Sequence, residues 1–272
     1  MRKKIFGAFC AAAPVAAALR FCQTVAFTER KTGFIDRNYT FWFIAFSVLI
    51  VLLTAAVSVF ALASGPRGEE SRRFSVAFSA SSFALSAAIV LDMLFANRED
   101  LPQAQVIRIL CIVTGAASVV YFALLGIRPM LHFNLSPKLS VVPPLFFTVR
   151  AALLFITFSR QSVTSDTVYD VCVYCISMLF LLEIARAVNG AGEKNSLKKI
   201  AFFGISGALI AFCSSLPQFI LAVFYSEALH DGAAGAMLPF AFGLFAACTV
   251  FTRLDFKPDG EHRFGFYYVG KH

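Results

Sequence analysis

The chain is organised as long apolar runs separated by short stretches rich in charged residues, proline or glycine. A helix needs about 20 predominantly apolar residues to cross the roughly 30 Å hydrocarbon core of a bilayer. Eight runs meet this requirement: Ile5–Phe27, Phe41–Ser64, Phe74–Ala96, Gln105–Ile127, Leu139–Ser159, Val168–Val188, Ile200–Tyr225 and Ala233–Phe251. The pattern therefore predicts an all-α fold, a polytopic transmembrane helix bundle over residues 1–251 with no separate soluble domain.

The composition supports this fold class. Of the 272 residues, 58% are apolar and 15% are charged, and the mean hydropathy is +0.74. Ordinary soluble domains carry about 25% charged residues, so this chain could not cover a water-exposed surface. The same composition excludes a disordered chain, a disulfide scaffold and a soluble nucleotide-binding enzyme.

The distribution of basic residues predicts the orientation of the bundle. Eight crossings place sixteen lysines and arginines on one side and six on the other, with Arg20 and Arg150 inside spans. The positive-inside rule then puts both termini in the cytoplasm of a cell (plasma) membrane. Because insertion electrostatics accounts for the net charge of +8, no nucleic-acid partner is expected. The basic and aromatic tail, residues 252–272, is expected either to lie along the anionic inner leaflet or to fray.

The first apolar run has a second interpretation. A basic start followed by a short apolar stretch with small residues is also typical of a cleaved secretory signal peptide. A retained span is favoured, because the run continues through Leu19–Phe27, beyond any cleavage site. Either choice leaves the C-terminus in the cytoplasm.

Four charged residues inside the spans are the candidate site: Arg20, Asp92, Arg150 and Asp170. Charges in a span are costly and usually face the bundle interior. With the predicted orientation, all four lie in the outer half of their spans or near the midplane, where a long arginine can reach an acidic partner. They predict an outward-facing polar cluster, which is either a site for an anionic or zwitterionic solute or a set of structural ion pairs.

Three further patterns concern helix packing. Ser214, Ser215, Pro217 and Gln218 are candidates for a helix break, which would be either a discontinuous transporter helix or an ordinary kink. Ala77, Ala80, Ala84 and Ala87 form a stripe of small residues that predicts close helix packing in the third span. Glu183 and Arg186, three residues apart near the inner end of one span, are expected to form an ion pair.

The sequence gives little basis for catalysis. No histidine or lysine lies inside a predicted span, which excludes an intramembrane zinc site of the HExxH type, a serine–histidine dyad and a retinal Schiff base. All seven cysteines fall within the apolar runs, which argues against an extracellular disulfide framework. No cofactor and no metal are expected, and an enzyme is the less favoured function.

One short region carries a family resemblance. Leu19-Arg20, followed by Thr32-Gly33-Phe34 before the second span, is similar to a group of uncharacterised multi-pass membrane proteins of Gram-positive anaerobic bacteria. The resemblance implies a bacterial plasma membrane and a retained first span, but no activity.

Two functions stay open at this point. The first is a small-solute transporter, or a component of one, with solute entering near the four charged residues. The second is a non-catalytic accessory or sensory protein that binds a membrane-protein partner. Both place the chain in contact with the lipid bilayer.

Overall fold

The computed structural model describes residues 2–28, 35, 37–65, 67–68, 76–95, 105–131, 136–158, 165–189, 196–225 and 232–255. Over this part of the chain there are eight α-helices: α1 (Arg2–Ala26), α2 (Thr40–Ala63), α3 (Val76–Phe95), α4 (Gln105–Leu131), α5 (Val142–Phe158), α6 (Ser165–Val188), α7 (Ser196–Tyr225) and α8 (Gly232–Arg253). All eight are long and apolar enough to cross a membrane. The predicted fold class is confirmed, whereas the tail from residue 256 onward and the turn at residues 32–34 lie outside the described residues.

The helix bounds agree with the predicted spans to within a few residues, and the differences have local causes. Helix α5 begins at Val142, after a 3₁₀ turn at Pro137–Val141. Pro143 and Pro144 occupy its first turn, where a missing N–H costs no intrahelical hydrogen bond. Helix α6 begins at Ser165, three residues before the apolar run that predicted it.

Six helices form a closed ring. Neighbours along the chain pack together from α3 to α8, and α8 packs back against α3. Helices α1 and α2 pack against each other and against α7, so they form a pair attached to the ring. Helix α7 is therefore shared between the ring and the attached pair.

Phenylalanine side chains fill the centre of the ring. Phe245 of α8 packs against Phe78 of α3, Phe122 of α4 and Phe180 of α6, with ring centroids 5.2–6.4 Å apart. Phe242 extends this aromatic core to Phe147 of α5 and also contacts Phe180. These side chains are at most 1% exposed, and edge-to-face or tilted contacts of this kind are favourable between aromatic rings. The centre of the ring is a packed core.

The alanine stripe of α3 does not pack as predicted. Ala77, Ala80, Ala84 and Ala87 are exposed on the bundle surface, whereas Ser79, Ser82 and Ser86 of the same helix are buried. Ser86 donates a hydrogen bond to the carbonyl of Val119 in α4 at 3.1 Å. A hydroxyl in contact with hydrocarbon loses hydrogen bonds and a methyl group does not, so the serine face turns inward.

One end of the bundle carries both helical termini of the chain. Phe6 near the start of α1 packs edge-to-face on Phe251 near the end of α8, at 5.1 Å. Two-residue strands β1 (Arg67–Gly68) and β2 (Leu254–Asp255) pair there in antiparallel fashion. We call this the inner end and the opposite one the outer end. That the inner end faces the cytoplasm is a prediction from the distribution of basic residues.

Candidate functional site

Arg20 lies in the last two turns of α1, toward the outer end, and is 1% exposed. Its guanidinium forms an ion pair with Asp166 in the first turn of α6, whose side chain is 19% exposed. The guanidinium carbon lies 4.1 Å from the centre of the Tyr169 ring and 5.8 Å from that of Phe43. A carboxylate and two aromatic faces thus offset the cost of burying this charge.

Gln23, one turn along α1, connects Arg20 to α2. Its amide nitrogen donates to the carbonyl of Phe43 and to the hydroxyl of Ser47, each at 2.9 Å. Its amide oxygen accepts from Arg20 at 3.3 Å and from the Tyr169 hydroxyl at 3.2 Å. We call Arg20, Gln23, Ser47, Asp166 and Tyr169 the Arg20 cluster; it joins α1, α2 and α6 near the outer end.

Arg150 forms the second intramembrane ion pair. Its guanidinium donates to Asp92 of α3 at 2.9 Å, and it lies 5.8 Å from the centre of the Tyr174 ring. The Nε atom of Arg150 is buried without a hydrogen-bond partner. The predicted contact of Arg150 with an acidic residue is confirmed.

Each of the four predicted site residues has a polar contact with another helix. Asp92 and Arg150 pair with each other, Arg20 pairs with Asp166, and Asp170 accepts a hydrogen bond from Ser214 of α7 at 2.8 Å. Helix α6 links these groups, because Asp166, Asp170 and Tyr174 follow one another at intervals of four residues on one face. A polar stripe of α6 therefore runs from the Arg20 cluster toward Arg150.

The helix-break candidates lie in an uninterrupted helix. Helix α7 runs from Ser196 to Tyr225 with Pro217 inside it, so the discontinuous-helix interpretation is wrong for this segment. Ser215 donates to the carbonyl of Ala211 at 2.7 Å, and Ser214 to Asp170. Gln218 is partly buried in the same helix. The hydroxyls thus satisfy local acceptors, and Pro217 is accommodated without ending the helix.

At the inner end, the expected pair of Glu183 and Arg186 is confirmed. Arg186 donates to Glu183 at 3.2 Å, and Ser196 at the start of α7 donates to the other carboxylate oxygen at 3.4 Å. Arg186 is 45% exposed. Glu183 and Ser196 are buried, so the contact joins two consecutive helices with only its arginine at the surface.

The described residues contain no group of three or more His, Cys, Asp or Glu side chains that could hold a metal ion. All seven cysteines are free thiols. The Cys213 thiol lies 3.4 Å from the carbonyl of Ala16, where it ties α7 to α1.

Sequence reasoning missed Asp166, Gln23 and Ser47. Asp166 precedes the apolar run of α6, although it lies four residues before Asp170 and therefore on the same helical face. Gln23 lies three residues after Arg20, which is also a same-face spacing. A search for polar residues at helical spacing from each intramembrane charge would have found both Asp166 and Gln23.

Comparison with known proteins gives no match to this chain, whether among protein-family models, curated proteins or solved structures. The resemblance based on Leu19-Arg20 and the following turn therefore stays a prediction.

Proposed function

We propose that the protein is a small-solute transporter, or a membrane component of one, that binds an anionic or zwitterionic solute at the Arg20 cluster. One observation carries the proposal: a fully buried arginine inside a span forms an ion pair with Asp166, a partly exposed residue in the first turn of α6. A solute arriving from the outer end meets Asp166 first and finds the guanidinium behind it.

The chemistry of the cluster fits a carboxylate-bearing solute. A guanidinium offers several N–H donors in a planar fork that matches a carboxylate, so a solute carboxylate can take the position of Asp166. The released Asp166 carboxylate is then available to an ammonium group on a zwitterionic solute. Gln23 and Tyr169 supply further polar groups, and the aromatic face of Tyr169 supports the cation.

The second candidate is a non-catalytic accessory or sensory protein in which the cluster only holds helices together. The hydrogen bonding of Gln23 favours it, because both its amide nitrogen and its amide oxygen have partners in the packed bundle. Buried ion pairs can serve to fix helix register without any ligand.

Solute-dependent thermal stabilisation in detergent separates the two candidates. A ligand that binds the native state raises its stability by mass action, by about 2.7 kcal/mol at one hundred times its dissociation constant. We would measure the unfolding midpoint with acetate, succinate and glycine, using sodium chloride to control ionic strength. The variants are Arg20→Lys, which keeps the charge but loses the fork, and the matched control Arg186→Lys at the inner end.

We expect at least one carboxylate to stabilise the wild type and Arg186→Lys, and not Arg20→Lys. Asp166→Asn should respond to acetate more strongly than the wild type, because acetate replaces the lost carboxylate. If no carboxylate discriminates between Arg20→Lys and Arg186→Lys, the transporter proposal is wrong and the accessory function is favoured.

A further inference from the structure

We infer that solute crosses the bundle along the seam between α1, α2 and α7, over a stripe of hydroxyl groups on α2, and that α2 is the helix that moves to open this route. The inference rests on the proposed function, since the stripe begins at the Arg20 cluster. It assigns Ser47, Thr54 and Ser58 as residues that line the route.

In the part of the chain that the structure describes, aromatic side chains fill the centre of the ring. Phe78, Phe122, Phe180, Phe242 and Phe245 occupy it and contact one another across the ring. These side chains are almost fully buried. Opening a path there would separate several aromatic contacts, each worth about 0.5–1.5 kcal/mol beyond the apolar area buried.

Helix α2 presents polar groups along one face and apolar groups to lipid. Ser47, Thr54 and Ser58 are spaced by seven and four residues, so they lie on the same side of the helix. At 1.5 Å per residue, Thr54 lies about 10 Å and Ser58 about 16 Å below Ser47, which leaves roughly 8 Å to Ala63, the last residue of the helix. The stripe thus extends from the Arg20 cluster into the inner half of α2.

The hydroxyls of Thr54 and Ser58 are buried and have no hydrogen-bond partner. In contrast, eleven other described serine and threonine side chains donate to the backbone carbonyl four residues earlier in their helices. Leaving a buried hydroxyl unsatisfied costs about 1–3 kcal/mol. Both of these hydroxyls are therefore available to a solute or to water. Ser79 and Thr249, between α3 and α8, share this condition but lie away from the seam.

A small apolar cluster lies beside the stripe. Ile50 of α2 packs with Ala16 of α1 and Cys213 of α7 in a cluster separate from the main core. Helices α1 and α7 each contain a proline, Pro14 and Pro217. A proline lacks the N–H that would bond the carbonyl one turn back, so Pro217 leaves the carbonyl of Cys213, a residue that packs with Ala16 and Ile50, without its helical partner.

The position of α2 suits it to movement. Helix α2 packs on α1 and α7, and much of the rest of its surface is exposed apolar side chains such as Leu52 and Val59, at 60% and 53% exposure. Lipid tails solvate such a face equally well in different orientations. Tilting α2 away from α7 would expose the hydroxyl stripe without disturbing the aromatic core.

The test is the accessibility of introduced thiols to a charged, membrane-impermeant reagent. Thr54→Cys and Ser58→Cys change the side-chain volume little, and Leu52→Cys and Val59→Cys are matched controls at similar depths on the lipid face. Proteoliposomes carrying each variant are treated with sulfonatoethyl methanethiosulfonate, and peptide mass spectrometry locates the modification, so the native cysteines can stay in place. Only a hydrated thiol forms the reactive thiolate at a useful rate.

We expect Thr54→Cys and Ser58→Cys to be modified on the order of tenfold or more faster than the lipid-facing controls. Equal modification rates at the two stripe positions and at the two lipid-facing positions would overturn the inference. Because two positions on the stripe are tested, one variant that fails to fold does not prevent the test. If the introduced thiols are not labelled but a carboxylate still stabilises the wild type and not Arg20→Lys, only the proposed route is rejected. If the thiols are labelled but no carboxylate stabilises the wild type, only the carboxylate site is rejected.

Discussion

Removing both charges of the pair of Asp92 and Arg150 should destabilise the bundle about as much as removing one of them, and not twice as much. The two side chains are 5% and 12% exposed and 2.9 Å apart. At an effective dielectric constant of about 20, this separation corresponds to an attraction of about 6 kcal/mol. Desolvation offsets much of that attraction, but a single neutralisation leaves the partner buried and uncompensated, at a cost of about 3–5 kcal/mol.

The assay is a double-mutant cycle. Asp92→Asn, Arg150→Gln and the double variant are unfolded with SDS in mixed micelles and followed by circular dichroism. We expect each single variant to lose about 3–5 kcal/mol, and a coupling energy of the same size, about 3–5 kcal/mol, so that the double variant loses about as much as either single variant. Glu183→Gln, Arg186→Gln and their double variant are the control cycle, with a coupling of about 0.5 kcal/mol because Arg186 is half-exposed. Additive single effects at Asp92 and Arg150, or a coupling no larger than the control, would refute the reasoning.

Two further predictions concern packing. A Cβ atom added at Gly204 would lie 2.5 Å from Val250 Cγ2, whereas one at Gly7 meets nothing within 4 Å. Gly204→Ala should therefore lower the free energy of unfolding by about 1–3 kcal/mol and Gly7→Ala should not lower it, in the same SDS assay; equal effects would contradict the packing described. Ser214→Ala should lower the free energy of unfolding by about 1–2 kcal/mol, because Asp170 then lacks the hydrogen bond that Ser214 donates. In a variant that already carries Asp170→Asn, Ser214→Ala should cost less. Independent, additive losses would show that the contact does not contribute.

The spans could be predicted from the sequence because every backbone polar group in hydrocarbon must be paired within a helix. The predicted start of a span differs from the observed start of the helix where polar residues form the first turn. Ser165 and Asp166 lie in the first turn of α6 but outside its apolar run, so the apolar pattern did not identify Asp166 as a partner of Arg20.

The arrangement of the helices could not be predicted from hydropathy. Lipid solvates an apolar face as well as another helix does, so apolar periodicity does not identify the packed side. The alanine stripe of α3 illustrates this, because its alanines face outward and its serines face the bundle. The packing of α3 on α8 and of α1 on α7 depends on complementary shapes that no single-helix pattern contains.

The packing of α1 and α2 on α7 has a consequence for biosynthesis. The Cys213 thiol and the Ala16 carbonyl that join α1 to α7 are 197 residues apart in the chain, and Arg20 is 146 residues from Asp166. At a translation rate of about 5–20 residues per second, helices α1 and α2 stay in the bilayer for roughly 7–40 s before α6 and α7, on which their contacts depend, have been synthesised. During this interval Arg20 has not yet met Asp166, so the nascent hairpin depends on the insertion machinery, on lipid headgroups or on a chaperone to tolerate its charge.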